Sequence, residues 1–396
     1  MEELGRYYTD NLFSKLLINN IENQNPTNIL ELGVGEGSLI KAAYERWFDA
    51  SYYVADIDNN SLAKVQQELP FVKSFHFDSI KEDISTKLKI NSGSIDIAVC
   101  NPPYLKLKND LSYAKIFLDA GLEGCTKLKN LTTDIVFLAK NLQILKETGE
   151  LGIILPDGLI TGKEFEVLRQ SILQNHSLKA VIQLPENIFK KTEALTHILI
   201  IEKRRSTRTS TPLFLANTFG EIVDQIDVAQ SSLTERMDYK YHTWSKKLSA
   251  VKPNDLSNKF LKDLNPEIKR GNLTHKDLLN AGVSFIHTTN LPHRNSEMQV
   301  GKNQFDETKI RYAKAGDILL SRVGCIGKIS MVKSGKIPIT DCIYRIRIPA
   351  NYRKIVWASM ISLSGKEWFA AHSHGVCAKV ISKADLFNFP LQGSNI

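Results

Sequence analysis

The sequence holds no C-x-x-C pair, no internal repeat, no low-complexity tract, and no apolar run approaching the roughly 18 residues that a membrane helix needs. Its five cysteines, Cys100, Cys125, Cys325, Cys342 and Cys377, are scattered and odd in number. That excludes a disulfide framework and suits reduced thiols in a cytoplasm. The N-terminal MEELGRYYTD lacks the basic-then-apolar layout of a signal peptide. A soluble, cytoplasmic chain without membrane contact is expected. His372, His374 and Cys377 lie close together, but a closed structural zinc site needs a fourth ligand and none is nearby, so no metal is expected.

What is present is an ordinary globular composition, 42% hydrophobic and 24% charged, over 396 residues. One compact core rarely takes that many, so two folded domains are expected. The charge is divided between them. Up to Arg205 there are 24 Lys+Arg against 27 Asp+Glu, a net −3; beyond it there are 27 against 16, a net +11. A mildly acidic first part suits a small-molecule enzyme core, and a strongly basic second part has the footprint of a phosphate-backbone binder.

From Asn28 to about Lys203, short apolar runs alternate with helical periodicity, which predicts an α/β, doubly wound, mostly parallel sheet. Strands are expected at Asn28–Leu32, Tyr52–Ala55, Ser74–Phe77, Ile95–Cys100, Gly152–Leu155, Leu178–Gln183 and His197–Glu202. The polar Arg204–Pro212 reads as a linker. The expected organisation is therefore a first domain over 1–205, a linker with short helices over 206–260, and a smaller α+β domain over 261–396.

Three constellations carry chemistry. In Asn28–Ser38 a strand runs into Gly33, Gly35 and Gly37 and then a helix, so the backbone can approach a ligand at the strand's carboxyl edge. The spacing is G-x-G-x-G with acidic Glu31 and Glu36 around it, which disfavours a phosphate and suits a cationic ligand such as S-adenosylmethionine. Asp56, 19 residues beyond Gly37 at the end of the next strand, is placed to take two ribose hydroxyls, with Ile57 facing an adenine. Asp58, Asn59 and Asn60 would cap the following helix. Asp78, closing the third strand, is either a contact to the adenine amino group or a helix cap.

The third constellation is Asn101-Pro102-Pro103-Tyr104, where an apolar strand stops abruptly. Two prolines fix the backbone and remove two donors. The Asn101 amide oxygen and the Pro102 carbonyl can accept both hydrogens of an exocyclic amine, while the Tyr104 ring stacks on its heterocycle.

With these motifs, residues 1 to about 205 resemble an amino-group DNA methyltransferase of the gamma order, in which cofactor motifs precede the catalytic motif and target recognition comes last. Gly5–Asp10 resembles the family's N-terminal cofactor motif, which implies Tyr8 and Thr9 near the methionine end of S-adenosylmethionine. Thr133–Leu138, Gly152–Gly158 and Val181–Thr192 are similar to modification subunits of type I restriction systems, and the resemblance implies Phe189 as a second aromatic wall for the base. Ala315–Ile329, Phe285–Leu291 and Ile381–Leu391 resemble the target-recognition domain of type I specificity subunits. Lys269, Arg270, Thr288, Asn290, Arg322, Lys328 and Lys379 are the candidate DNA contacts there.

The resemblance implies a sequence-specific adenine-N6 methyltransferase that acts on a base flipped out of double-stranded DNA, at the prokaryotic nucleoid. It also implies a restriction-modification or related setting. The chain begins only four residues before the first of these motifs and shows no convincing clustered Asp/Glu-x-Lys site after it, so any nuclease is expected to be a separate protein. Methylation of cytosine N4 is the alternative within the class, since that amine is also planar and conjugated. A non-catalytic DNA-binding specificity protein is the alternative outside it. Oligomeric state is not legible.

Overall fold

The computed structural model describes residues 11–108, 110–186, 188, 195–249, 259–292, 296–299, 304–375 and 379–391. They form two compact units that divide between His242 and Thr243.

The first unit is built on nine strands: β1 (Asn28–Leu32), β2 (Ser51–Asp56), β3 (Lys73–His76), β4 (Ile95–Cys100), β5 (Leu145–Pro156), β6 (Ser177–Gln183), β7 (Thr196–Glu202), β8 (Ser210–Ala216) and β9 (Ile222–Ala229). They form one sheet in the order β9-β8-β6-β7-β5-β4-β1-β2-β3. Strands β3, β2, β1, β4 and β5 pair in parallel; β7 enters antiparallel between β5 and β6, and β9 runs antiparallel to β8. The expected mostly parallel, doubly wound sheet is thus what forms. Its strand order reverses between β1 and β4, and that switch point opens a crevice at the carboxyl ends of those strands.

The apolar runs are continuous because both faces are covered. Leu30, Leu32, Ala98, Cys100, Leu199 and Ile201 face one core, while Ile29, Ile97, Val99, Ile198 and Ile200 face the other. Each fully buried Leu, Ile or Val side chain among them contributes about 1.5–3 kcal/mol of transfer free energy. The expected strands stand within a few residues of those observed, apart from β5, which starts seven residues earlier than its predicted Gly152.

The linker reading is corrected. Residues 210–229, taken as linker and short helices, are strands that widen the main sheet. Pro212 is compatible with this because it lies near the start of β8, whose pairing with β6 begins only at Leu213. The segment after β9 is also fastened to the first unit. The buried Arg169 guanidinium donates to the carbonyls of Thr234 (2.9 Å) and Glu235 (2.6 Å), and to Leu159 and Gly162 (both 2.9 Å). Arg236 forms a bidentate pair with Asp238 at 2.7 and 3.0 Å, both buried. Side chains this polar read as linker by composition, but a buried pair needs a folded setting.

The second unit mixes short strands with helices. Strands β10 (Glu267–Arg270), β11 (Ser296–Gln299), β13 (Ile318–Ser321), β14 (Ile329–Ser334) and β16 (Ile343–Arg347) form a sheet in the order β10-β16-β13-β14-β11. Strands β12 (Tyr312–Lys314) and β15 (Lys336–Pro338) pair separately. Helices Arg353–Ile361 and Leu363–His372 pack Val356, Met360, Trp368 and Phe369 against Ile318, Leu320 and Ile346. His372 stacks on Trp368 with ring centroids 4.3 Å apart, and His374 lies 3.6 Å from Asp385. Cys377 falls outside the described residues.

Candidate active site

Four neighbouring strand ends converge on one cavity of about 300 Å³ at the switch point. It is lined by Glu31 and the glycine turn from β1, Asp56 and Ile57 from β2, Asp78 to Lys81 after β3, and Asn101 and Pro103 after β4. Sequence separations of up to 72 residues are closed by the parallel register, which sets Glu31 opposite Val54 and Val99.

The glycine turn is left-handed at three positions, with φ of 73° at Gly33, 52° at Gly35 and 74° at Gly37. The left-handed backbone calls for glycine at both Gly33 and Gly37, and at Gly37 space does so as well, since a Cβ there would lie 3.0 Å from Val65. Gly37 is also the N-cap of helix Ser38–Arg46 and has no side chain to cap with. Glu31 does this from outside, its carboxylate accepting from the Ile40 amide at 3.0 Å. Glu31 is only 3% exposed, and burial, seconded by the nearby Asp56, holds its pKa well above the usual carboxyl range. A buried carboxyl in that condition is a ready partner for a cation.

Asp56 is buried, and its two oxygens accept from the amides of Gly35 (2.9 Å) and Asp58 (2.8 Å). One side chain therefore ties the glycine turn of β1 to the end of β2. Ile57 is half exposed at the cavity edge, an apolar surface suited to a planar ring. Asp58 caps helix Asn59–Glu68, as expected. Asp78 does not cap a helix; its carboxylate accepts from the Ile80 amide at 3.0 Å and pairs with Lys81 at 3.1 Å, and Asp83 caps the next helix instead.

After β4 the chain is clamped. The Thr133 hydroxyl donates to the Pro103 carbonyl and accepts from the Leu105 amide (3.0 Å), while the Thr133 amide donates to the Leu105 carbonyl (2.9 Å). The Tyr104 hydroxyl lies 3.0 Å from the Asn101 amide oxygen and 3.3 Å from the Ile154 carbonyl, so it can donate to either. Asn101 and Pro103 line the cavity, whereas Gly37, Pro102 and Tyr104 stand beside it. Tyr8, Thr9 and Phe189 lie outside the described residues.

Thr133 and Phe137 were not singled out from sequence, although both are in the Thr133–Leu138 run. The available signal was a threonine opening a helix, where a hydroxyl meets free amides. Two other buried groups also escaped notice. Asp134, at the first turn of helix Thr133–Ile144, is pushed up to about 6 by burial. His197, wholly buried and 3.9 Å from Asp157, is pushed down to about 4 by burial.

In the second unit the candidate contacts separate into two groups. Arg322 donates its amide to the Cys342 carbonyl (2.9 Å). The Cys342 thiol is pushed up by burial and by Asp341 against the opposing pull of Arg322 and Arg270, so both cations lie near it. Lys328 reaches the Thr288 carbonyl at 3.0 Å, and the Lys379 carbonyl accepts from the Gly324 amide beside Arg322 (2.8 Å). By contrast Lys269 is paired with Glu267 at 2.6 Å, and Asn290 closes its own turn, accepting from His287 (2.7 Å) and donating to Phe285 (2.9 Å).

The family model of the N-6 DNA methylases matches residues 1–257. The methylase subunit of the type I restriction enzyme MpnII of Mycoplasma pneumoniae is 26% identical over 243 residues, 55% of this chain and 44% of that protein. The type II methyltransferase M.BsuBI of Bacillus subtilis is 25% identical over 234 residues, 52% and 44% of the two chains. The chain thus spans less than half the length of these relatives. Among solved structures, the type IIG restriction endonuclease BpuSI superposes with a TM-score of 0.53 at 11% identity, over 99% of this chain and 59% of that one, a likeness of fold.

Proposed function

The chain belongs to the N-6 DNA methylase family, whose methyl donor is S-adenosylmethionine, and on that premise we propose that it methylates the N6 amine of adenine in duplex DNA, with the second unit selecting the sequence. The observation that carries this reading is one cavity lined both by the glycine turn with Glu31 and Asp56 and by Asn101 and Pro103.

The residues present fit the cofactor. Glu31 is a buried carboxyl suited to an ammonium or sulfonium, the left-handed glycines leave backbone exposed, Asp56 lines the cavity at the β2 end, and Ile57 offers an apolar face beside Asp78. When bound, S-adenosylmethionine supplies an electrophilic methyl group on a sulfonium. The chain's own contribution is position. The Asn101 amide oxygen accepts from the target amine, and the clamp of Thr133 on Pro103 keeps that oxygen from drifting, which is how a pre-arranged geometry lowers a barrier. Neither Asn101 nor Pro102 is a base, so no side chain is assigned to proton removal before transfer.

A target held at the end of a sheet strand cannot also be paired within a duplex, so the base must leave the stack. Tyr104, and Phe189 by resemblance, would stack on it. The second unit carries most of the excess positive charge, which supports its role on DNA. The chain would serve as the modification component of a restriction-modification system.

The test is methylation-sensitive sequencing of DNA from cells expressing the chain, followed by nucleoside mass analysis. N6-methyladenine at one recurrent sequence is expected. N4-methylcytosine would move the target to the other amine, and unmodified DNA with methylated protein would overturn the reading.

A further inference from the structure

Between the catalytic loop and helix Thr133–Ile144 the chain makes an excursion, residues 106–131, that none of the roles above uses. It carries five lysines and three acidic residues, whereas residues 1–205 as a whole are net negative. The excursion begins as a two-residue ribbon, Lys106–Leu107 pairing with Leu131–Thr132, and Lys106 and Leu107 line the same cavity as Asn101. It is therefore continuous with the place where the target amine must sit.

At its tip stands Leu111, 93% exposed, the most exposed large apolar side chain among the described residues. A single exposed leucine is usually unremarkable. Three features set this one apart. First, its backbone is fixed: the Asp110 carboxylate accepts from the Ser112 amide at 2.8 Å, the Tyr113 amide donates to the Asp110 carbonyl at 3.2 Å, and Leu111 itself is helical at φ −61° and ψ −21°. Second, it adjoins an apolar hollow of about 250 Å³ lined by Tyr113, Phe117, Cys125, Leu128 and Leu131. Third, Lys106, Lys108, Lys115 and Lys127 of the same excursion are all exposed. Of the acidic residues, Asp110 is engaged in the turn and Glu123 accepts from the Asn175 side chain at 2.8 Å.

We propose that this excursion is a DNA-contacting element of the first unit, in which Leu111 wedges into the base stack beside the target adenine while the lysines hold the flanking phosphates. It rests on the reading of the cavity as a DNA methylase site. The physical reason is that a flipped base leaves a gap and broken stacking, and a rigid apolar side chain entering from the catalytic side fills that gap without needing a hydrogen-bond partner. The lysines supply the sequence-independent attraction that brings the wedge to the duplex.

The experiment uses the full chain and a duplex carrying the sequence found methylated in expressing cells. A second duplex is identical but has an abasic position opposite the target adenine. Leu111→Ala should slow single-turnover methyl transfer on the paired duplex by about tenfold, and by no more than about twofold on the abasic one, where unpairing is already done. Leu111→Gln, similar in length but polar, should behave like Leu111→Ala. Calorimetric affinity for S-adenosylmethionine should be unchanged in both variants, which keeps a folding defect apart from a wedge defect. Lys108→Ala and Lys127→Ala should each lower the slope of log affinity against log salt by about one. Equal losses on the two duplexes, or no loss on either, would overturn the wedge. If instead the unaltered protein transfers no methyl group to any DNA, the methylase reading itself fails, and the two failures are told apart in one assay.

Discussion

In the first unit Glu31, Asp56, Asp78 and Asn101 stand at or just beyond the ends of four neighbouring strands, and a parallel register brings all four to one cavity. In the second unit the polar residues with the right chemistry lie on short strands and turns, and some are already engaged, Asn290 in closing its own turn and Lys269 in an ion pair with Glu267 of the same strand. The difference is one of scaffolding. A doubly wound sheet aims its strand ends at one crevice whatever the loops do, whereas a unit of short elements must fix each contact separately. Residues of the first unit should therefore give large, separable effects on cofactor and chemistry, and residues of the second should give small effects on DNA alone.

The largest effect is expected at Asn101. On the proposed reading Asn101→Ala removes the acceptor that orients the amine, and misplacement of a reacting group can cost about a hundredfold in rate. Calorimetry should show near-normal affinity for S-adenosylmethionine while labelled-methyl transfer is lost. If binding vanished with transfer, the two ends of the cavity would not be separable.

Asp56→Ala should do the reverse. Both carboxylate oxygens accept backbone amides, from Gly35 and Asp58, so the substitution loosens the turn and removes the acidic group at the β2 end of the cavity. Charged hydrogen bonds are each worth about 1.5–3 kcal/mol, so affinity for S-adenosylmethionine should fall by about tenfold or more. An unchanged affinity would remove Asp56 from the cofactor site.

How much of this was legible depended on whether the signal was local. The glycine turn, the abrupt stop at Pro102 and the Asp58 cap are written in adjacent residues, and the structure has them where they were expected. The role of Glu31 in capping a helix nine residues away, and of Thr133 in clamping Pro103 across thirty, depend on tertiary approach that no spacing reveals. Strands β8 and β9 were missed because an edge strand such as β9 is polar on its open side, and Arg204–Pro212 beside them carries the composition of a linker.

Glu31 gives a pH dependence. In the free protein burial keeps this carboxyl protonated above the ordinary carboxyl range. A cation bound against it favours the ionised form, so binding should release a proton and affinity should rise with pH, by about tenfold per pH unit at most, until Glu31 is ionised unaided. For the free fold the sign is opposite: stability that the raised pKa confers at low pH is lost as pH climbs through it. Calorimetry in two buffers of different ionisation enthalpy reads the proton directly, and Glu31→Gln should abolish the release. Proton release that persists in Glu31→Gln would assign it elsewhere.

The smallest effect is expected in the second unit, and it tests whether the DNA contact proposed for that unit is made through cations such as Arg322 or through the residues that shape its turns. Arg322 lies by Cys342 with Arg270 near, and its guanidinium is 5.9 Å from the centre of the Tyr344 ring, a loose contact compared with the short pair that Lys269 makes to Glu267. A cation so placed can reach a phosphate without first breaking a close ion pair. Arg322→Ala should therefore weaken DNA binding several-fold and lower the slope of log affinity against log salt by about one, because one fewer counterion is displaced. Arg322→Lys should restore the slope. Asn290→Ala should leave the slope alone and instead cost about 1 kcal/mol of stability, since it removes the side chain that closes the turn at His287. Should Asn290→Ala change the salt slope while Arg322→Ala does not, the turn-forming residues would be the ones at the phosphates, and the division between scaffold and contact drawn for this unit would be reversed.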